Sequence, residues 1–136
     1  MVQRQQTYKP DLEKVKRVRE KVLKAYNEIA KDLMMDTDIP VVTALSDEDL
    51  EELILLALAE AKAPVSWKEI KLIFQGIAGE DRLRKILSKL KATNTIAELT
   101  KTRYALPEYV PLNELNKVKN PGIISKILKI KQTNIQ

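Results

Sequence analysis

The 136-residue chain holds 44% hydrophobic and 32% charged residues, enough apolar mass for one core of ordinary domain size and too much for a disordered chain. Neither cysteine nor histidine is present, which excludes disulfides, thiolate metal sites and histidine-based metal or acid–base chemistry. The net charge of +5 is segregated: residues 1–32 carry nine basic and five acidic side chains, residues 33–60 none and eight, and residues 61–136 fifteen and six, which sum to +4, −8 and +9.

At the N-terminus, "MVQRQQTYKP" lacks the apolar centre of a signal peptide, and no apolar run in the chain reaches the roughly 18 residues of a membrane helix. The expected compartment is cytoplasmic, with no membrane partner. Abundant Lys, Glu and Ile beside absent Cys and His agree with a thermophile. Residues 11–35 then place Leu12, Val15, Val22, Tyr26, Ile29 and Leu33 on one side of a helix, with Arg19 interrupting the row and Val18, Leu23, Ala25 and Ala30 widening it. At about 1.5 Å per residue this helix is roughly 37 Å long, more than a small core requires. Homodimerisation through that row is the expectation, and folding back onto its own domain the alternative.

Residues 36–45, "DTDIPVVTAL", read as a connector around Pro40. A second helix follows, opened by Ser46 as N-cap and by acids in the first turn, where the helix dipole favours them. Its inward face is Leu50, Leu53, Ile54, Ala57 and Leu58. After the short extended piece "APV", Ser66 and Glu69 have the spacing of a capping box for a helix carrying Ile70, Ile73 and Phe74, with Trp67 at its start. "GIAG" at 76–79 breaks that helix. The next spans about 80–92, with Leu83, Ile86, Leu87 and Leu90 on one face. "TIAELTKTRYALP" then changes to a period of two, with a polar turn at 100–102, and predicts a β-hairpin. The tail "NPGIISKILKIKQTNIQ" sets Ile123, Ile124, Ile127 and Leu128 beside Lys126, Lys129 and Lys131. It reads as a short basic amphipathic helix that packs on the long N-terminal helix or across a dimer. Contact with membrane or DNA is the less favoured use.

The expected fold class is mainly α with a small β-hairpin. The order of capped helix "SWKEIKLIF", "GIAGEDRLRKILSKLK" and "IAELTKTRYAL" resembles the winged helix-turn-helix DNA-binding domain family in an archaeal-like form, over roughly residues 46–110. The resemblance divides the chain into a long helix and connector over 1–45, a winged helix-turn-helix domain over 46–111, and a basic C-terminal extension over 112–136. It implies that helix 80–92 enters the major groove and that Lys101 and Arg103 form a wing on the backbone or minor groove of double-stranded DNA. A dimer would place two such helices about 34 Å apart. Winged helices also dock proteins in transcription, replication and membrane-remodelling complexes, so a protein partner is the alternative.

With its apolar row inward, helix 80–92 turns Asp81, Lys85, Ser88 and Ala92 outward, Arg84 and Lys89 beside them, and Arg82 and Lys91 on the flanks. Lys68 and Lys71 extend this cationic surface, the arrangement that phosphate binding requires. Glu80 and Asp81 weigh against it, because each precedes a cation by four residues and the helix start that carries them would meet phosphate. A transcriptional regulator or chromatin-associated factor is the functional expectation. No enzymatic activity, cofactor or metal is expected. The pairs Glu51 with Glu52 and Asp47 with Asp49 sit in a helical first turn that capping explains, and glycines at 76, 79 and 122 form no phosphate loop.

Overall fold

The structure, a computed structural model, describes residues 9–36 and 45–133. The chain runs α1 (Leu12–Asp36), α2 (Asp47–Ala61), β1 (Val65–Ser66), α3 (Trp67–Ile73), α4 (Glu80–Ala92), β2 (Ala97–Leu99) and β3 (Arg103–Ala105). Three 3-10 turns and α5 (Ile124–Thr133) complete it. The fold is mainly helical, with one small antiparallel sheet. The connector expected over 36–45 lies almost wholly outside the described residues.

The helix starts follow from their caps. Ser46 Oγ accepts from Asp49 N at 3.0 Å at the start of α2. Ser66 Oγ accepts from Glu69 N at 3.2 Å, and Glu69 Oε1 accepts in return from Ser66 N at 3.0 Å, closing the capping box of α3. The Glu69 carboxylate also takes Asp11 N at 2.7 Å and Lys14 Nζ at 3.1 Å. One buried acid thereby fixes α3 against the start of α1.

The core forms where α1, α2, α3 and α4 turn their apolar rows together. Val15, Val18 and Val22 lie in the same cluster as Leu50, Leu53, Ile54, Ile70, Phe74, Leu83, Ile86, Leu87 and Leu90. This accounts for part of the α1 row. Val15 and Val22, expected to meet a second copy, are buried in cis, and Tyr26 and Ile29 pack against the same core partly covered. Leu12 remains 66% exposed, and the Leu33 side chain lies outside the described residues. Arg19, which breaks the row, donates from Nη1 to the carbonyls of Leu72, Ile73 and Gln75 at 3.2, 2.8 and 2.8 Å. It thus adds a charged donor to the carbonyls at and just beyond the C-terminal end of α3.

The sheet has the order β1-β3-β2, so the hairpin is extended by the strand formed from the end of "APV". Registers pair Val65 with Tyr104, Glu98 with Tyr104, and Ala97 with Ala105. Period-two alternation sends Val65 and Tyr104 toward the helical core, and Ala97, Leu99 and Ala105 toward a second cluster. That second cluster is closed by Val110, Ile123 and Ile127. The basic tail therefore packs on the sheet, and its buried residues do not join the α1 core. Residues 117–119 also line the β2 edge, with Lys119 N donating to Glu98 O at 2.7 Å and Thr100 N to Lys117 O at 3.2 Å, which occupies an edge that would otherwise template pairing. Asn120 pins this segment: its Oδ1 accepts from Glu98 N, and its Nδ2 donates to Lys91 O, Asn94 Oδ1 and Ile96 O. Among the described residues no helix is long and apolar enough to cross a membrane.

Candidate nucleic-acid interface

Helix α4 forms as its sequence dictates. Glu80 and Asp81 occupy the positive end of the helix dipole, Lys89 and Lys91 the negative end, and the row Leu83, Ile86, Leu87 and Leu90 is buried. Asp81, Lys85, Ser88 and Ala92 are exposed, as the 100° rotation per residue requires. Position is thus settled by packing, and what remains is whether the cations have counter-charges.

On one side they do. Arg82 Nη2 donates to Asp47 Oδ1 at 2.8 Å and to Leu45 O at 2.9 Å, Lys85 Nζ lies 3.4 Å from Asp47 Oδ2, and Lys89 Nζ lies 2.9 Å from Glu51 Oε1. The acidic first turn of α2 is therefore set against the basic face of α4. The Arg82 hydrogen bond and the Lys85 charge hold the Asp47 carboxyl below its ordinary value of 3.8, while the Glu51 hydrogen bond and charge raise Lys89 above 10.5. Two carboxylates, Asp47 and Glu51, thus face three cations, with Asp47 shared by Arg82 and Lys85. The pairs stay in contact with water, with the Lys85 side chain 73% exposed, so they are cheap to exchange for another anion.

Lys91 and Arg103 are engaged differently. Lys91 Nζ reaches Glu98 Oε1 at 2.9 Å, a carboxylate that Lys119 also approaches. Arg103, expected on the wing, is 7% exposed and faces the C-terminal segment. Its Nη2 donates to Glu114 Oε1 at 2.7 Å and its Nε to Thr100 O at 3.0 Å. This corrects the sequence reading: residue 103 lies within β3, and the tail covers that face of the sheet. Arg103 belongs to the interior and cannot reach a phosphate. The hydrogen bond from Arg103 holds Glu114 below its ordinary 4.5, against the opposing effect of burial.

The remaining cations gather around Trp67. The Arg84 guanidinium lies 4.6 Å from the Trp67 ring centroid and Lys71 Nζ 5.7 Å, both within cation–π range. Lys68 and Lys101 line a shallow hollow of about 170 Å³ with Ser66, Trp67 and Thr102. The backbone makes this juxtaposition: Trp67 N donates to Thr102 O at 2.9 Å, which ties the start of α3 to the hairpin turn. Lys101 and Thr102 have positive φ, 65° and 51°, the left-handed backbone of a tight hairpin turn that a β-branched threonine adopts only under strain. Glu80 approaches Arg84 at 3.9 Å and Lys71 at 4.0 Å, long and exposed pairs of little weight.

The ten residues predicted for DNA contact are thus divided. Lys71 and Arg84 lie over the Trp67 ring, and Lys68 and Lys101 line a hollow with the same residue. Arg82, Lys85 and Lys89 face α2 acids, with Ser88 exposed among them, Lys91 is held by Glu98, and Arg103 is internal. Trp67 is the participant that sequence reasoning placed only at a helix start, although "SWKEIK" sets it among lysines. Asp47 and Glu51 are the other addition, signalled by the −8 charge of residues 33–60. Among the described residues no group of acidic side chains is arranged to hold a metal ion. Comparison with protein-family models, with curated proteins and with solved structures gives no match.

Proposed function

We propose that this chain binds double-stranded DNA through a winged helix-turn-helix arrangement, using the cationic surface around Trp67 more than the outer face of α4. The observation that carries the reading is that Lys71 and Arg84 lie over one partly covered indole while Lys68 and Lys101 line a hollow beside the same residue, from α3, α4 and the hairpin turn. The sheet order β1-β3-β2 with the helix, strand, helix, helix, hairpin succession supports the arrangement. Lys68 and Lys101 suit phosphate contacts on either side of the hollow, and Arg84, stacked on Trp67, is restrained for a planar contact with phosphate or a guanine edge. Because α2 acids compensate three α4 cations, backbone contacts outweigh base reading, and the binding is weakly selective for sequence. That suits a chromatin-associated factor better than a site-specific regulator.

Four phosphate contacts give a slope of log affinity against log salt of about −3 to −4. A titration of mixed-sequence duplex at several salt concentrations is expected to return that slope. The triple variant Lys68→Glu, Lys71→Glu, Lys101→Glu should lose binding while keeping its circular dichroism. Binding by the folded triple variant at the wild-type level would remove DNA from this surface. A protein-docking role is the second reading, favoured by the ion pairs that tie α4 to α2. It predicts no salt-sensitive duplex binding at all.

A further inference from the structure

Glu80 opens α4 in the turn that approaches nucleic acid, where phosphate contacts give a carboxylate no role. Its side chain is 59% exposed, with Oε1 3.9 Å from Arg84 Nη2 and Oε2 4.0 Å from Lys71 Nζ. Both separations exceed hydrogen-bond length, so these contacts leave the acceptor positions of the carboxylate open. Arg84 is restrained from another side. Its guanidinium lies 4.6 Å from the centroid of the Trp67 ring, and that residue is itself fixed: it packs partly buried against the helical core, and Trp67 N donates to Thr102 O at 2.9 Å. Stacking on a fixed indole narrows the conformations of a side chain that is 63% exposed and sets the plane of its donor fork.

A planar set of donors thus stands beside an open acceptor at the exposed start of α4. A row of phosphates presents acceptors only, and would use the donors while repelling the carboxylate. The major-groove edge of a G·C pair presents both kinds of group: acceptors at guanine N7 and O6, then the donor amine at cytosine N4. O6 and N4 are joined by the pair's own hydrogen bond, about 2.9 Å long, against 3.9 Å between Glu80 Oε1 and Arg84 Nη2. Small rotations of two exposed side chains close that difference.

Resting on the DNA binding proposed above, we infer that Glu80 and Arg84 together read a G·C pair in the major groove, with Trp67 as the positioning residue for Arg84. Arg84 donates to guanine N7 and O6, and Glu80 accepts from cytosine N4. An A·T pair fails at both places. Adenine N6 turns a donor toward the guanidinium, and thymine O4 turns an acceptor toward the carboxylate. The lysines around Trp67 supply affinity for any polyanion, whereas the acid discriminates among sequences. One pair read per domain gives a preference for G·C content and no extended target site, in keeping with weak selectivity.

Fluorescence anisotropy with the full chain tests this on four duplexes of equal length, built from G·C, inosine·cytosine, 7-deazaguanine·cytosine or A·T pairs. Inosine keeps the major-groove edge of guanine and lacks its minor-groove amine, whereas 7-deazaguanine lacks the N7 acceptor. The wild type is expected to bind the G·C and inosine duplexes alike and the A·T duplex at least about fivefold more weakly, with the 7-deazaguanine duplex in between. Arg84→Lys, which keeps the charge without the fork, should abolish the preference, and Glu80→Ala should narrow it, chiefly by raising A·T binding. Trp67→Leu should also abolish it, and Trp67→Phe, which keeps a ring beneath the guanidinium, should restore it. Asp81→Asn, which removes an acid from the same turn, should leave the ratio unchanged. Circular dichroism verifies folding, and the exposed positions 80 and 84 keep the test decisive if Trp67→Leu does not fold. Four results overturn the inference and leave DNA binding standing: duplexes bound without a G·C preference, the inosine duplex bound as weakly as the A·T duplex, an undiminished preference in Arg84→Lys, Glu80→Ala or folded Trp67→Leu, or an equal loss in Asp81→Asn. Failure to bind any duplex overturns both.

Discussion

Arg19 illustrates how one side chain departs from a pattern for a structural reason. A cation inside an apolar helical row is unfavourable unless its hydrogen bonds are met, and here the guanidinium closes the carbonyl end of α3. Arg19→Ala is expected to lower stability by about 1.5–3 kcal/mol in urea unfolding, and an unchanged midpoint would contradict the capping role. Glu114 is the second such residue. Its carboxyl is held below 4.5 by Arg103, so its contribution is complete above that ordinary value and is lost as pH falls through the lowered folded value. Glu114→Gln should destabilise the protein at pH 7 by roughly 2–4 kcal/mol, because Arg103 is left buried beside a neutral group. It should also flatten the acid limb of the Tm–pH curve, and an acid limb as steep as that of the wild type would assign it to other carboxylates. The Ser46 and Ser66 caps were legible in the sequence because capping is a contact across three residues. Arg103 with Glu114 and Asn120 with the end of α4 were not, since each depends on where the tail lies.

At the scale of elements, local periodicity was sufficient for α1, α2, α3 and α4, whose apolar rows are those that pack. The hairpin was legible as two strands, but its burial was not. An alternating strand predicts one covered face, whereas the helical core partly covers Tyr104 and the tail covers Leu99 and Ala105, so packing reaches both faces. Charge followed the same division. Within α4, the acid-first pairs of Glu80 and Asp81 were visible by spacing, but the stronger counter-charges come from α2 across 35 or more residues. If those acids screen α4, Asp47→Asn/Glu51→Gln should raise duplex affinity at low salt by about threefold to tenfold and steepen the salt slope by about 1. Equal affinity in the variant and the wild type would mean that the Arg82–Lys85–Lys89 face of α4 does not approach the DNA.

For the whole molecule, the segregation of charge along the sequence reads as attraction between distant segments: the acidic start of α2 folds onto part of the basic face of α4. The length of α1 suggested a second copy, yet its first half is consumed by packing on α2 and α3. The basic tail suggested a partner helix, yet it closes the sheet and exposes two leucines instead. In both segments the amphipathic pattern was legible and the surface it packs on was not, because periodicity states that a face is buried without stating against what. The most direct measurement is a comparison of charge-matched variants: duplex binding across salt for Lys68→Gln/Lys71→Gln/Lys101→Gln and for Arg82→Gln/Lys85→Gln/Lys89→Gln. The Trp67-centred surface predicts that the first variant loses about 2–3 units of salt slope and the second far less. The reverse order would contradict it.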